Sequence, residues 1–157
     1  MQKHQKSLKI LKHAAFTLAA LLILVDFVSP GSVLNNQIIN VEKERQNYYN
    51  AAGNYHYSYK VITSEHEFLV TEDFAKLKLE GEKIEYSVSR LFKQVNWYRL
   101  RSSDNKSYYS LRIASGLVLP FLVLISIFMA FQFKNKIGTL IFKFQVLLKA
   151  DLLFFMT

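Results

Sequence analysis

The chain has 157 residues and no cysteine, which excludes disulfide bonds, thiolate nucleophiles and cysteine-ligated metal sites. Hydrophobic residues make up 51% of it and there are only five glycines and two prolines, a composition that is atypical of a disordered chain. The net charge is +8, but the lysines cluster beside long apolar runs while the middle is nearly balanced, which indicates membrane contacts and not nucleic-acid binding.

The first 13 residues form a basic segment that we expect to remain in the cytoplasm. Its lysines recur every third position with no acidic residue among them: Lys3, Lys6, Lys9 and Lys12. Positive charge next to the first apolar run retains that end of a membrane protein on the cytoplasmic side. We expect the four lysines to contact anionic lipid headgroups.

Residues 14–34 are predicted to form the first transmembrane helix. The run AAFTLAALLILV is apolar apart from one threonine, and residues 11–28 together are long enough to cross a bilayer. A cleaved signal peptide is the alternative, because the basic start and the apolar stretch also fit one. The nearest small-residue cluster, Ser29-Pro30-Gly31, makes a poor cleavage site, which favours an uncleaved anchor.

Residues 35–111 are predicted to form an extracytoplasmic β-rich module, periplasmic if the host is bacterial. Apolar and polar residues alternate with the period of two that is typical of strands, most clearly at residues 55–61 and 84–88. The other predicted elements are strands at 67–71 and 91–100, a helical turn at 74–79 capped by Thr71, a turn at Gly81 and a helical lead-in at 41–49.

Residues 112–133 are predicted to form the second transmembrane helix. No charge occurs from Ile113 to Phe133, a length of roughly 31 Å as a helix, which matches a bilayer core. Pro120 removes one backbone hydrogen bond from this helix and is expected to kink it.

Residues 134–157 are predicted to form a short basic turn and a third hydrophobic helix. Its charged residues are Lys143, Lys149 and Asp151, and on a helix they scatter around the axis instead of sharing one face. A helix that lies on the membrane surface collects its charges on one side, whereas a span packed against other helices tolerates scatter. We favour a third span, with an interfacial helix as the alternative.

The predicted fold class is therefore an α+β membrane protein with two to three transmembrane helices. Its four or five short strands, inserted between the first and second helix, suggest a small antiparallel β-module, either a curled sheet or a partly open barrel. In layout alone the chain resembles small bacterial membrane proteins that carry such a module beside or between helices. That resemblance supplies no functional residues.

A carboxylate, Asp26, interrupts the first apolar run and needs an explanation. It lies twelve positions past Ala14, and Lys149 lies twelve positions past Ile137 on a helix that would run in the same direction. Each charge alone would cost about 2.5–3.5 kcal/mol inside a bilayer, so we expect an Asp26–Lys149 pair, shared with Lys143 or with Asp151. The alternative places Asp26 at the outer headgroups, where it needs no partner.

Catalysis, a cofactor and a metal site are not expected. No phosphate-binding loop, dinucleotide fingerprint, nucleophile elbow or zincin motif is present. The nearest metal-like cluster is Glu65-His66-Glu67, but on a strand His66 points away from the two glutamates.

The expected function is an accessory or sensor-like one, in which the β-module contacts another membrane or envelope protein. The candidate contact residues are four aromatic side chains: Tyr48, Tyr49, Tyr55 and Tyr57. The alternative is a small transporter or channel component in which Asp26, Lys149 and Asp151 line a polar path within an oligomer.

Overall fold

The structure is a computed structural model that describes residues 2–47, 55–77, 79–132 and 138–156. It divides into two compact units, a helical one (Met1–Ser29 with Ile113–Thr157) and a β-rich one (Pro30–Arg112). The elements in chain order are α1 (Gln2–Val28), β1 (Ser32–Asn47), β2 (Tyr55–Thr63), β3 (Glu67–Val70), α2 (Glu72–Ala75), β4 (Lys83–Val88), β5 (Val95–Leu100), α3 (Ser110–Ile113), a π-helical turn (Ala114–Val118), α4 (Leu119–Gln132) and α5 (Gly138–Met156).

Within the described residues, two helices are long and apolar enough to cross a membrane: Ser7–Val28 and Ser110–Ala130. The first lies near the N-terminus, where a signal sequence would also pass this test. Helix α1 already begins at Gln2, so the basic segment is part of it, and it ends at Val28 and not at residue 34. Pro30 explains this end, because the residue before a proline is disfavoured in helical conformation.

The second apolar helix contains a π-helical turn that ends two residues before Pro120. This turn joins α3 to α4 without a break in the helical chain. A proline has no N–H to donate, and a widened turn is one way in which a helix accommodates that loss. The side of the turn at Gly116 packs against the Phe27 ring of α1, and a Cβ atom at position 116 would overlap that ring. Gly116 is therefore what permits α1 to approach this closely.

The β-rich unit is one antiparallel five-stranded sheet, curled into a half-barrel, with strand order β3-β2-β1-β4-β5. Its organising element is the 16-residue strand β1, which pairs with two different neighbours. Ser32–Gln37 lies beside β4, and the part from Ile38 onward lies beside β2. A bulge separates the two halves, between Ile38 and Asn40. Because bulges increase local twist, this one marks the point where the sheet curls.

The core of the β-rich unit fills the concave face of the sheet. The buried apolar side chains are Ile38, Val61, Phe68, Val70, Phe74, Leu79, Ile84, Tyr86, Val88 and Tyr98. Phe74 comes from the single turn of α2, which lies over the sheet, and its ring meets the Tyr98 ring edge to face at 4.7 Å. Gly81 then takes a positive φ of 83°, which a glycine adopts at no steric cost, and turns the chain into β4.

Several expectations about these elements are confirmed and one is wrong. The strands at β2, β3 and β4 and the Gly81 turn form where the alternation predicted them, and β5 begins only at Val95. The helical lead-in at 41–49 is wrong, because residues 41–47 continue β1. The helical turn predicted at 74–79 lies earlier, at Glu72–Ala75, and Thr71 occupies its N-cap without making a side-chain cap hydrogen bond.

Candidate interaction site

The outer halves of β1 and β2 form a two-stranded ribbon that extends past the rest of the sheet. We call residues 42–47 and 55–60 the distal ribbon; their register runs from Glu42 opposite Lys60 to Asn47 opposite Tyr55. Strand β3 pairs with β2 only from Tyr59 onward, and β4 pairs with β1 only as far as Gln37. Among the described strands, therefore, none flanks residues 55–58 on their outer side.

The two faces of the distal ribbon carry different chemistry. Residues directly opposite each other in a ladder share a face, and Val41 and Val61 are opposite each other and packed with the core. The same face continues outward as the tyrosine face, which consists of Lys43, Arg45, Tyr55, Tyr57 and Tyr59. The opposite face carries Glu42, Glu44, Gln46, His56, Ser58 and Lys60. The tyrosine face is thus the concave, core-side face of the sheet beyond the point where the core ends.

On the tyrosine face the cations lie over the aromatic rings. The Lys43 Nζ atom is 3.8 Å from the centre of the Tyr57 ring and 5.7 Å from that of Tyr59. The Arg45 guanidinium carbon is 4.1 Å from the centre of the Tyr55 ring. Tyr55 and Tyr57 themselves meet edge to face, with ring centres 5.4 Å apart. Stacking of this kind holds the two cations in place while leaving their remaining N–H donors accessible to a ligand.

The tyrosine face carries two cations, and Glu72 approaches it through its hydrogen bond with Tyr59. In the part of the chain that the structure describes, neither Lys43 nor Arg45 forms an ion pair, because Glu42 and Glu44 point to the opposite face. The nearest acidic neighbourhood is α2, where Glu72 pairs with Lys76 at 3.0 Å. The hydrogen bond and charge of Lys76 lower the pKa of Glu72, and the charge of Lys43 adds a smaller effect in the same direction.

An open groove of about 560 Å³ lies at the foot of the tyrosine face. Its lining residues are Val41, Lys43, Tyr59, Ala75, Leu77, Leu79 and Glu80. The Tyr59 hydroxyl donates a hydrogen bond to Glu72 at 3.4 Å, which holds this ring as one wall. Leu77 is 52% exposed, so the apolar floor of the groove is accessible from solvent.

The outer edge of β2 has main-chain groups that no described strand uses. Thr63 N–H donates to the His66 carbonyl across the β2–β3 turn at 2.9 Å, so Thr63 points its backbone groups toward β3. In an antiparallel strand every second residue points its main-chain groups to the same side, so those of Val61 and Tyr59 also point toward β3. The next residues in this series, Tyr57 and Tyr55, point the same way beyond the end of β3.

Two of the four predicted contact aromatics lie on this surface. Tyr55 is 48% exposed and Tyr57 is 41% exposed. Tyr48 and Tyr49 lie outside the described residues. Sequence reasoning missed Lys43 and Arg45, because it placed them on a helical lead-in and not opposite the tyrosines. Their regular alternation with Glu42 and Glu44 was the available signal.

The three charged residues predicted for the membrane region have different surroundings in the helical unit. Asp26 is buried, with 2% exposed, and Asp151 is half-buried. The Lys149 ammonium lies 5.7 Å from the centre of the Phe16 ring. Phe16 precedes Asp26 by ten residues on the same helix, or roughly 15 Å along its axis. The Lys149 ammonium thus lies nearer to the level of Phe16 than to that of Asp26, and the predicted charge pair and polar path remain predictions.

A polar contact that the sequence analysis missed lies between α1 and α5. The Gln145 side-chain nitrogen is 3.2 Å from His13 Nδ1, and Gln145 is almost fully buried, with 2% exposed. Together with the Lys149–Phe16 contact it shows that α1 and α5 run in the same direction, as predicted. Gln145 is an uncharged polar residue within a long apolar stretch, which was the signal for such a contact.

His66 belongs to a structural hydrogen-bond network. Its Nδ1 atom is 3.1 Å from the Tyr86 hydroxyl, which also accepts a hydrogen bond from Asn36 at 2.9 Å. The Thr63 hydroxyl lies 3.3 Å from the same oxygen. In the described part of the chain, no three His, Asp or Glu side chains come together as metal ligands.

Comparison with known proteins adds no functional assignment. No protein-family model, curated protein or solved structure matches this chain. The distal ribbon, with its stacked cations and free strand edge, is thus the feature from which a function can be inferred.

Proposed function

We propose that this protein is a membrane-anchored binding protein, without catalytic activity, whose β-rich unit contacts another membrane or envelope protein through the distal ribbon. One observation carries the proposal: the tyrosine face extends beyond the core with the Tyr55 and Tyr57 rings exposed and its cations stacked on them. Tyrosine and arginine are enriched among the residues that dominate protein–protein binding energy. An accessory or sensor-like role follows from a binding surface on a membrane anchor.

The anchoring part of the proposal rests on the surface of the helical unit. Large apolar side chains of α1, α4 and α5 are exposed and would contact lipid; they include Leu11, Leu18, Phe121, Phe128, Phe142 and Leu153. We place the N-terminus in the cytoplasm and residues 35–111 on the other side of a cell membrane, the inner membrane if the host is bacterial. Lys3, Lys6, Lys9 and Lys12 then face anionic headgroups.

We propose that α5 is a third span. It carries Lys143 and Lys149 on exposed positions and Asp151 on a half-buried one. Its 19 residues give a length of roughly 28 Å, enough for the hydrocarbon core of a bilayer. The buried contact of Gln145 with α1 supports insertion beside α1, because a helix lying on the surface would not need it.

Photo-crosslinking in intact membranes tests the binding function. A photoreactive amino acid in place of Tyr57 should give one discrete adduct, and Tyr55→Ser together with a probe at position 57 should reduce it severalfold. The matched control is the same probe at Arg90, which is exposed in a bend after β4. An adduct pattern at position 57 that equals the one at position 90, or no adduct at 57, contradicts the proposal.

A further inference from the structure

We infer that the partner contributes an extended acidic segment, which adds to the outer edge of β2 as a further strand and places its carboxylates on Lys43 and Arg45. This inference rests on the proposed binding function and specifies the chemistry of the partner. Three features of the distal ribbon support it: the free edge, the position of the cations and the separation of charge between the two faces.

The free edge offers a hydrogen-bonding template. The N–H and C=O groups of Tyr55 and Tyr57 point outward, along the line that β3 occupies further down the strand. After Val70 the chain leaves this line and enters α2 at Glu72, so the space beside residues 55–58 is not taken by any described strand. An extended peptide can occupy it in line with β3, the mode of recognition known as strand addition.

The cations lie within reach of an added strand. Although Lys43 and Arg45 belong to β1, their charged groups lie over the rings of Tyr57 and Tyr55 on β2. An added strand would run about 4.8 Å from β2, and every second side chain of it would point to the tyrosine face. Carboxylates at alternate positions would therefore meet the ammonium group and the planar guanidinium, which binds a carboxylate through two parallel hydrogen bonds.

The charge distribution selects an acidic partner. The acidic residues of β1 in the distal ribbon, Glu42 and Glu44, point to the opposite face, so they do not oppose an anion on the tyrosine face. A second copy of this chain would not fit in the same way, because two tyrosine faces would bring like charges together. The groove at the foot of the face has an apolar floor, which would accept an apolar residue next to the acidic ones.

Fluorescence anisotropy on the purified full chain in neutral detergent micelles tests the inference. The probe is a labelled twelve-residue peptide of alternating Glu and Thr, compared with an alternating Lys and Thr peptide and with a Glu–Thr peptide whose backbone nitrogens are all methylated. We expect binding of the first peptide only, because the second has the wrong charge and the third cannot donate main-chain hydrogen bonds. Equal binding of the methylated peptide would overturn the added strand.

Charge-neutral variants locate the contact. Lys43→Gln with Arg45→Gln should weaken binding of the Glu–Thr peptide by about tenfold at low salt, the size expected from two exposed charge pairs. Lys60→Gln is the matched control, since it removes a cation from the opposite face of the same ribbon. Unchanged binding in the double variant, or an equal loss in the control, overturns the inference.

Two further measurements distinguish this inference from lipid binding and from the proposed binding function itself. The first measures binding of the protein in micelles to phosphatidylcholine–phosphatidylglycerol vesicles. If the wild type binds the vesicles but not the peptide, and the double variant does not bind the vesicles, the cations bind lipid headgroups and the acidic segment is overturned. If the adduct at position 57 persists in membranes of the double variant at its full level, the binding function stands and the inference fails. If position 57 gives no adduct at all, the binding function itself fails.

Discussion

Single side chains with a polar tip fix the geometry of the β-rich core. Tyr98 is 1% exposed, and its hydroxyl accepts a hydrogen bond from the Thr71 N–H at 2.8 Å. The same hydroxyl donates to the Thr71 side chain at 3.4 Å. This explains why Thr71 stands at the N-cap of α2 without capping it: its hydroxyl is engaged by β5. Burial raises the pKa of Tyr98, because the phenolate would be poorly solvated there.

Tyr98→Phe should lower the free energy of unfolding by about 1 kcal/mol at pH 8, through the loss of these hydrogen bonds. In the wild type, the contribution of Tyr98 to the free energy of unfolding should also depend on pH. The unfolded tyrosine ionises at about pH 10 while the folded one keeps its proton, so this stability is complete below about pH 10 and falls as the pH rises further. Urea unfolding of the full chain in micelles at pH 8 and pH 11 measures both effects.

The same variant supplies its own control. Tyr98→Phe has no proton to lose at position 98, so its stability should fall less steeply than that of the wild type above pH 10. The difference between the two proteins should therefore shrink as the pH rises. A constant difference from pH 8 to pH 11 would contradict the assigned role of Tyr98.

At the scale of elements, the sequence predicted where strands lie better than what they contact. The alternation at residues 55–61 predicted β2, but along β2 only the last residues are buried, and Tyr55 and Tyr57 are exposed. Alternation reports which residues share a face, and it does not report where the core under that face ends. That limit is set by β3 and α2, which are not local to β2.

The helical lead-in predicted at residues 41–49 failed for a related reason. Charged residues with no apolar periodicity carry little local preference, and the pairing with β2 decides their structure. Lys43 and Arg45 become strand residues because they lie opposite Tyr59 and Tyr57. The candidate site was therefore half predictable: the tyrosines follow from a local pattern, whereas the cations that complete it follow from a long-range pairing.

The depth estimate for Asp26 and Lys149 shows the limits of counting along apolar runs. Both residues are twelve positions past the start of an apolar run, but the two runs do not start at the same level. The contacts of His13 with Gln145 and of Phe16 with Lys149 fix the actual offset between α1 and α5. The common direction of these helices was predictable from connectivity, whereas their offset depends on side-chain packing.

Gly116→Ala should disrupt the contact between α1 and the π-helical turn. The added Cβ would overlap the Phe27 ring, and overpacking of this kind costs about 1–3 kcal/mol. The expected results are a lower melting temperature in micelles and less protein in the membrane. Gly138→Ala is the control, because a Cβ at that position meets no atom within 4 Å. Equal behaviour of the two variants would contradict the close approach at Gly116.

At the scale of the whole molecule, the α+β class was predictable from the sequence, whereas the organisation of the sheet was not. Two apolar helices with a small antiparallel sheet between them in the chain follow from composition and period, whereas the central strand β1 was not predicted. Orientation rests on the lysines before the first apolar run and on the short connection before α5.

Single cysteines in this cysteine-free chain should report the topology. We expect an impermeant maleimide on intact cells to label Ser102→Cys and Thr157→Cys and to leave Ser7→Cys unlabelled, because three spans put the first two on the outer side. Ser102 is an exposed turn residue, whereas Ser87 is 3% exposed and would not react even on the outer side. Labelling of Ser7→Cys with no labelling of Ser102→Cys would reverse the orientation.

Because one half of β1 pairs with β2 and the other half with β4, the sheet cannot be completed in the order in which the ribosome makes it. The partner of Gln37 is Lys83 and the partner of Ser32 is Val88, so the first part of β1 waits for about 50 more residues. At bacterial or eukaryotic synthesis rates this delay lasts a few seconds. During that time the new strand exposes an unsatisfied edge, and a holdase chaperone would find its substrate there.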